Sequence, residues 1–429
     1  MTVETVDYRE LRLSSTEDPL TLMARLARSG LYDQYTVYEN GPEWSYAGGT
    51  LATFRLATNA RDLSAVEDWL ATLPVTGWRV YGWAAFELGA ALAGAETSDA
   101  DGAGTLLHLV VPHVEVRVGG GQLLLRATDP DRLEQLVQLV GAPGRTGAPE
   151  PTERVSVPLN DTGGYRDAVA TALTALHGPG PLTKVILSRR VAVPVPLDLP
   201  ATYIAGRRAN TPARSFLLNL GGIHAAGFSP ETVAEVTGDR RVVSRPLAGT
   251  RARTGSPDED ARLRADLLAD PKEVHEHAIS VKLALEDLAL VCDDTYTAEY
   301  MTVEERGTVQ HLASTVVGRL RDDRTPWQAF AALFPAVTAT GIPKTPAYAV
   351  IRELEGRPRG LYAGAVLTHD ATGTLDAALV LRSVFQQDGH CWLQAGAGIV
   401  RQSHPTREHE ETCEKLRSIA HHLVPAPKG

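Results

Sequence analysis

The sequence predicts a mixed fold of the α+β or α/β class, and three observations carry that prediction. Runs of alternating apolar residues mark strands, capped segments of helical period mark helices, and strands are not regularly followed by helices. The last point disfavours a parallel, doubly wound sheet.

Leu20 to Arg28 reads as a helix. Ser64, with Glu67 three positions on, is expected to cap a second. Leu106–Val118 and Gln122–Thr128 read as two strands joined through Gly119-Gly120-Gly121, a hairpin signal. No Gly-Lys-Ser or Gly-Lys-Thr follows the glycines, so a turn is preferred to a phosphate loop. Gly141–Glu153 is rich in Gly and Pro and reads as a linker or a long surface loop. Tyr165–Leu176 reads as a helix and Lys184–Val195 as a strand, with no internal repeat in the mixed elements beyond.

Composition narrows the partners. The 429 residues allow two or three domains, on a prior of ~150 residues each. The net charge is −10 with no basic tail, so nucleic acid and anionic membranes are not expected partners. Cys292, Cys391 and Cys413 are scattered and form no Cys-x-x-Cys, which argues against a disulfide scaffold or thiolate zinc site and fits a reducing cytoplasm. The Asn160-Asp161-Thr162 sequon is read as chance. The polar N-terminus lacks the apolar core of a signal peptide, and no apolar run approaches the ~20 residues that span a bilayer.

Two helices carry matched acidic faces. Asp270 suits an N-cap and Pro271 the first helical position. Val274, Ala278, Val281, Leu285 and Leu288 then make an apolar stripe, while Glu273, Glu276, His277 and Ser280 share another face. Glu273 is equally well explained as a capping-box partner of Asp270, and Glu276 alone as a solvated charge. In a second helix from about Pro405, Glu408, Glu411 and Lys415 share a face, Leu416, Ile419 and Leu423 pack, and Glu410 and Glu414 meet water. Each carboxylate alone reads as an exposed charge; the two Glu-x-x-Glu faces together could converge on a hard cation such as magnesium, which takes oxygen ligands.

Other candidates have similarly plain alternatives. Lys184 opens an apolar strand, where lysines usually snorkel to solvent; buried, it could serve as a base. Glu231 is either an acid raised by burial or an ordinary carboxylate at a helix start. Pro246–Thr250 and Ala395–Gly398 are small-residue turns whose N–H groups could approach an anion. Arg382 lies in an apolar run and calls for an anionic partner, from the protein or from a ligand.

Ordered blocks from about Tyr165 to Leu423 resemble the chorismate-utilising enzymes, the family of anthranilate synthase component I, isochorismate synthases and salicylate synthases. The blocks are KVILSR (184–189), FSPETVAEV (228–236), RPLAGTRAR (245–253), DPKEVHEHAISV (270–281), VQHLASTVVGRL (309–320), LFPAVTATGIPK (333–344), RGLYAGAV (359–366), ALVLRS (378–383), AGAGIV (395–400) and EHEETCEKL (408–416). Within the family, MTVEERGTVQHLAS and FPAVTATGIPK are most similar to salicylate synthases of siderophore pathways. Lys184 stands where anthranilate synthases usually have Gln. Thr340 and Thr345 depart from the expected Ser and small residue beside the GIPK turn.

The resemblance implies a single large domain of antiparallel sheets surrounded by helices with a deep cleft, residues 1–153 being its variable part and 165–423 its catalytic part. It implies a cytoplasmic, monomeric, magnesium-dependent enzyme acting on chorismate, giving isochorismate and then salicylate and pyruvate for siderophores or other aryl-capped metabolites. Two alternatives stand beside this: a synthase that stops at isochorismate, and a non-catalytic relative. By the same resemblance Lys184 activates water, Glu231 protonates the departing hydroxyl, and Glu276 and Glu411 bind magnesium directly, with Glu273 and Glu408 acting through its waters. Gly249, Thr250 and Lys415 help hold the ring carboxylate. Tyr362, Arg382 and Gly396 hold the enolpyruvyl carboxylate, and His311, counted with the catalytic residues, lines the ring pocket with Thr338.

Overall fold

A computed structural model of the chain describes residues 6–57, 60–95, 104–141, 153–160, 163–307 and 309–427. Most of Gly141–Glu153, with Asp161 and Thr162 of the sequon, lies outside the described residues.

Two large sheets form the frame, one of eleven strands and one of ten. Each is antiparallel through its paired registers, as the resemblance implies and in keeping with the lack of regular strand–helix alternation. Strands from the first third of the chain join both sheets: Tyr35–Asn40 pairs with Arg214–Leu220 in the larger, and Arg79–Ala84 pairs with Ala365–Asp370 in the smaller. The larger apolar core fills the space around Tyr81, Trp83, Phe216, Phe330 and Leu367, and a second gathers Leu22, Tyr46, Leu217 and Leu423 under the outer helices. Among the described residues no helix is long and apolar enough to cross a membrane.

The helices Pro19–Arg28, Tyr165–His177, Pro271–Ala289 and Pro405–Ala420 and the strand Lys184–Val193 form where their patterns and caps predict them. Other expectations need correction. Ser64 does not cap its helix; its amide and hydroxyl both donate to Asp62, while Glu67 accepts from Thr325. Leu106–Val118 is broken at Pro112-His113 into Thr105–Val111 and Val114–Gly119, since proline cannot donate to a ladder. Leu247–Ala252 is a bulged strand, not a turn, and Ala395–Gly398 lies inside the strand His390–Ile399.

The larger sheet ends on the short strand Gly341-Ile342 of the GIPK block, and beside it the strand Lys184–Val193 lies between that edge and His390–Ile399. Gly341 at φ +151° has room for no side chain, because a Cβ there would stand 2.5 Å from the Lys184 carbonyl oxygen. The smaller sheet ends on Leu247–Ala252, paired with Val309–Leu320.

Candidate active site

The site gathers where the chain passes between the sheets. Glu231 follows Ile223–Ser229 of the larger sheet and precedes Thr232–Val236 of the smaller. Arg382 lies between Leu375–Leu379 of the smaller sheet and Ser383–Gln387 of the larger, and so is not in a strand as its apolar neighbours suggested. The two crossings are tied together: Leu379 N donates to Glu231 O at 3.1 Å and Phe228 N to Arg382 O at 3.2 Å. Arg382 takes φ +49°, a left-handed conformation uncommon outside glycine.

Lys184 does not snorkel. It is 4% exposed, and its ammonium donates to a carboxylate oxygen of Glu276. Gly398 on the neighbouring strand leaves room for it, since a Cβ there would stand 3.0 Å from Lys184 Cε. Glu276 is therefore not a freely solvated charge.

Glu231 is buried, and the Thr338 hydroxyl lies 2.9 and 3.1 Å from its two oxygens, donating to the carboxylate. Burial pushes its pKa up to about 8, against smaller opposing effects from Thr338, the Leu247 backbone and the charge of Lys184. A carboxyl that keeps its proton through neutrality is suited to act as a general acid.

His311 is buried between two other candidates. Its Nδ1 lies 2.9 Å from Thr250 Oγ1 and its Nε2 lies 2.9 Å from Arg382 Nη2. Burial first, then the charges of Arg382 and Lys415, hold its pKa well below the ordinary value. A guanidinium only donates, so Nε2 accepts and the proton sits on Nδ1. His311 thus bridges Thr250 and Arg382 as a neutral ring, a positioning geometry rather than that of an acid or base. Burial and then Arg306 lower the Arg382 pKa to about 10, and no carboxylate pairs with Arg382 among the described residues. A half-buried guanidinium without a carboxylate partner is a seat for an anionic ligand.

A further cluster lies beside the strand His390–Ile399. Lys415 Nζ donates to Gly396 O at 2.9 Å and pairs with Glu411 at 2.8 Å. The Gly396 backbone also bonds the buried Tyr362 hydroxyl, whose pKa burial raises.

The acidic faces are closer to each other than their sequence separation suggests, for the charge of Lys272 on the first helix acts on both Glu408 and Glu411 of the second. On the first helix, His277, Ser280, Val281, Ala284 and Leu288 are buried while Val274, Ala278 and Leu285 are only partly so. The buried side is thus rotated toward the polar face. Buried His277 bonds Ser314 of the VQHLAS block at 2.7 Å, and burial lowers its pKa to about 4. Asp270 caps the helix through the Lys272 and Glu273 amides, but the Glu273 side chain pairs with Arg251 at 3.3 Å. On the second helix Glu408 is buried, while Glu410 and Glu414 are half-exposed, as expected.

Among the described residues no three His, Cys, Asp or Glu side chains are grouped closely enough to hold a metal. The donor chemistry nevertheless fits one. Burial and then the charge of Glu276 raise the Glu273 pKa, and burial with Glu411 raises that of Glu408 despite a hydrogen bond from Ser403. Such crowded, partly buried carboxylates are what a hard cation relieves. Glycine at 249, with φ +84°, admits Glu273, whose Oε2 would lie 3.1 Å from a Cβ there.

Three residues escaped the sequence argument. Arg251 and Lys272 lie inside recognised blocks without an assigned role. Arg359, 1% exposed, donates to Ala339 O at 2.8 Å and Ile186 O at 2.7 Å while pairing with Glu355 at 2.6 Å. It thereby fastens the turn that carries Thr338 to the strand that carries Lys184. It opens the RGLYAGAV block, but nothing in that block's pattern assigned it a role.

Comparison with known proteins gives the family and the fold. A family model described as chorismate binding enzyme matches residues 24–421. The chain is 41% identical to a salicylate synthase of Mycolicibacterium paratuberculosis, over 95% of this chain and 94% of that one. It is 36% identical to an anthranilate synthase component 1 of Thermus thermophilus, over 76% of this chain and 68% of the relative. Among solved structures, the menaquinone-specific isochorismate synthase of Escherichia coli superposes with a TM-score of 0.76 at 22% identity, covering 97% of this chain and 95% of that one. Anthranilate synthase component I of Streptococcus pneumoniae does so with a TM-score of 0.74 at 23% identity, covering 96% and 92%. At those identities the structural likeness speaks for the fold.

Proposed function

The chain belongs to the family of chorismate binding enzymes, and from that premise we propose that it is a salicylate synthase acting on chorismate in two steps. In the first, Lys184 accepts a proton from a water that adds at C2 of the ring, and Glu231 gives its proton to the hydroxyl leaving C4. The product of that step is isochorismate. In the second, the C2 hydrogen passes to the methylene carbon of the enolpyruvyl group as its C–O bond breaks, releasing pyruvate and leaving salicylate. This step calls for the side chain to be held over the ring more than for acid or base. Arg382, fixed by His311, and Tyr362 with the Gly396 backbone would hold the enolpyruvyl carboxylate, while Thr250, Gly249 and Lys415 would face the ring carboxylate.

Glu276, Glu411, Glu273 and Glu408 would hold magnesium, whose charge anchors a substrate carboxylate when it is bound. The observation that carries the reading is Glu231, a carboxyl kept protonated to about pH 8 within electrostatic reach of a buried lysine. A relative that only bound its ligand would have no use for that costly arrangement.

The test is chorismate plus magnesium, with products separated by chromatography. Salicylate and pyruvate are expected, with isochorismate transient. Isochorismate as the sole stable product would assign the chain to one-step synthases, and unconsumed chorismate would overturn the catalytic reading. Excess EDTA should abolish turnover and magnesium restore it, with Glu411→Gln requiring more metal; full activity in EDTA would remove the ion from the scheme.

A further inference from the structure

A small cavity of about 20 Å³ lies against Glu231. Its lining includes Ser244, Ser280, Ala284, Asp287 and Thr338, and none of Lys184, Thr250, His311, Arg382 or Lys415. Apart from Thr338, which the resemblance also places at the ring pocket, it shares no residue with the set assigned to the substrate. A cavity of ~10–15 Å³ suffices for one water if polar partners surround it. Glu231, Asp287, Ser244 and Ser280 line it, and the two hydroxyls, which donate to Val233 O and Glu276 O, are left free to accept. Ser280 is fully buried, whereas the Asp287 side chain is 26% exposed and pairs with Lys344 at 2.8 Å. The cavity thus runs from a buried carboxyl to one that solvent reaches.

Resting on the salicylate synthase reading, we propose that this cavity holds a water that returns a proton from Asp287 to Glu231 after each water-addition step, so that the acid is recharged from behind while the cleft is occupied. The balance closes. Loss of the C4 hydroxyl as water leaves Glu231 a carboxylate, and the attacking water's proton rests on Lys184. The cavity water forms the new O–H bond on Glu231 and takes a proton from Asp287, which has drawn one from solvent. Lys184 releases its proton to solvent once the product has left, so no net charge accumulates over a full cycle. Asp287 and Ser280 are positioning residues in this scheme, since neither touches the reacting ring.

Rapid-quench kinetics with chorismate and magnesium test it. Ala284→Val narrows the cavity and Asp287→Asn removes the carrier. In both, the first turnover should stay within about twofold of wild type, because Glu231 begins protonated, while later turnovers slow about tenfold. The result is a burst larger than wild type, with a raised solvent isotope effect confined to the steady state. Ser280→Ala, which keeps the space, should slow the steady state less than Ala284→Val. Equal slowing of first and later turnovers, or no slowing in Asp287→Asn, would overturn the relay in favour of direct return from Lys184 across the cleft. Should Ala284→Val fail to fold, the near-isosteric Asp287→Asn still decides. Wild-type protein that leaves chorismate unconsumed would instead overturn the functional reading itself.

Discussion

Glu115 and Glu231 are both buried glutamates, 1% and 5% exposed, yet their surroundings drive them in opposite directions. Burial alone would raise the Glu115 pKa, but Arg117, Arg79 and Arg126 outweigh it and lower the pKa to about 2. Arg117 and Arg126 each contact Glu115 at 2.7 Å. Glu231 has no arginine partner among the described residues; burial dominates and takes it to about 8. The first carboxylate pins together strands of the N-terminal third. The second has no charged partner within hydrogen-bond reach among the described residues, which is how a fold makes an acid instead of a strut.

Glu115→Gln is expected to have the largest effect. It removes the charge that three arginines share, leaving Arg126 only Glu10 and Arg79 only Asp370, a loss of ~3–5 kcal/mol in denaturant unfolding. A smaller loss than that of a typical surface substitution would break the contrast. Glu231→Gln should leave the fold intact but lower chorismate consumption by ~10²-fold or more, equivalent to roughly 2.7 kcal/mol of barrier. Lys184→Ala should do the same, and either variant at near-normal rate would cancel its assigned role. Lys184→Ala should still convert supplied isochorismate, since the second step does not use the base.

The contrast also fixes two opposite pH dependences. The Glu231 pKa rises on folding from 4.5 to about 8, so its contribution to stability is fully present below 4.5 and is lost as pH rises through about 8. Glu231→Gln should therefore melt higher than wild type at pH 9, with the difference shrinking toward acid pH. The Glu115 pKa falls on folding from 4.5 to about 2, so its contribution is present above 4.5 and is lost as pH falls through about 2. Melting curves of Glu115→Gln and wild type should thus converge in strong acid. Activity should carry an alkaline limb near pH 8 in kcat/KM as Glu231 loses its proton. The smallest expected effect is that of Thr338→Val. Its hydroxyl favours the ionised carboxylate, so removing it should move that limb to higher pH with a rate loss below ~tenfold. A shift to lower pH would contradict the assigned hydrogen bond.

Local pattern made much of this visible beforehand. The strand from Lys184, the Asp270 cap and the i, i+4 pair of Glu411 and Lys415 depend on neighbours along the chain, and periodicity and spacing report such neighbours. What stayed hidden depends on distant segments meeting. The Lys184–Glu276 bond joins a strand of the larger sheet to a helix distant in sequence, so spacing could not distinguish a paired Glu276 from a solvated one. The left-handed backbone of Arg382 arises where the chain changes sheets, and its own run, LVLRS, reads as plain strand. The resemblance placed His311 in the site, but only its two ring contacts reveal it as a bridge.

The crossings at Glu231 and Arg382 make the cleft a seam. Lys184 belongs to one layer and Thr250 to the other, so whatever occupies the space between them touches both and works as a rivet. A bound ligand adds RT ln(1 + [L]/Kd) to the stability of the folded state, and here that gain is applied across the joint between the sheets. Sliding one layer against the other would pull the acid away from the base before either sheet had lost its own strands. Catalytic rate is in this sense a gauge of registry, reading the alignment of two halves that hydrogen bonds within either one cannot report.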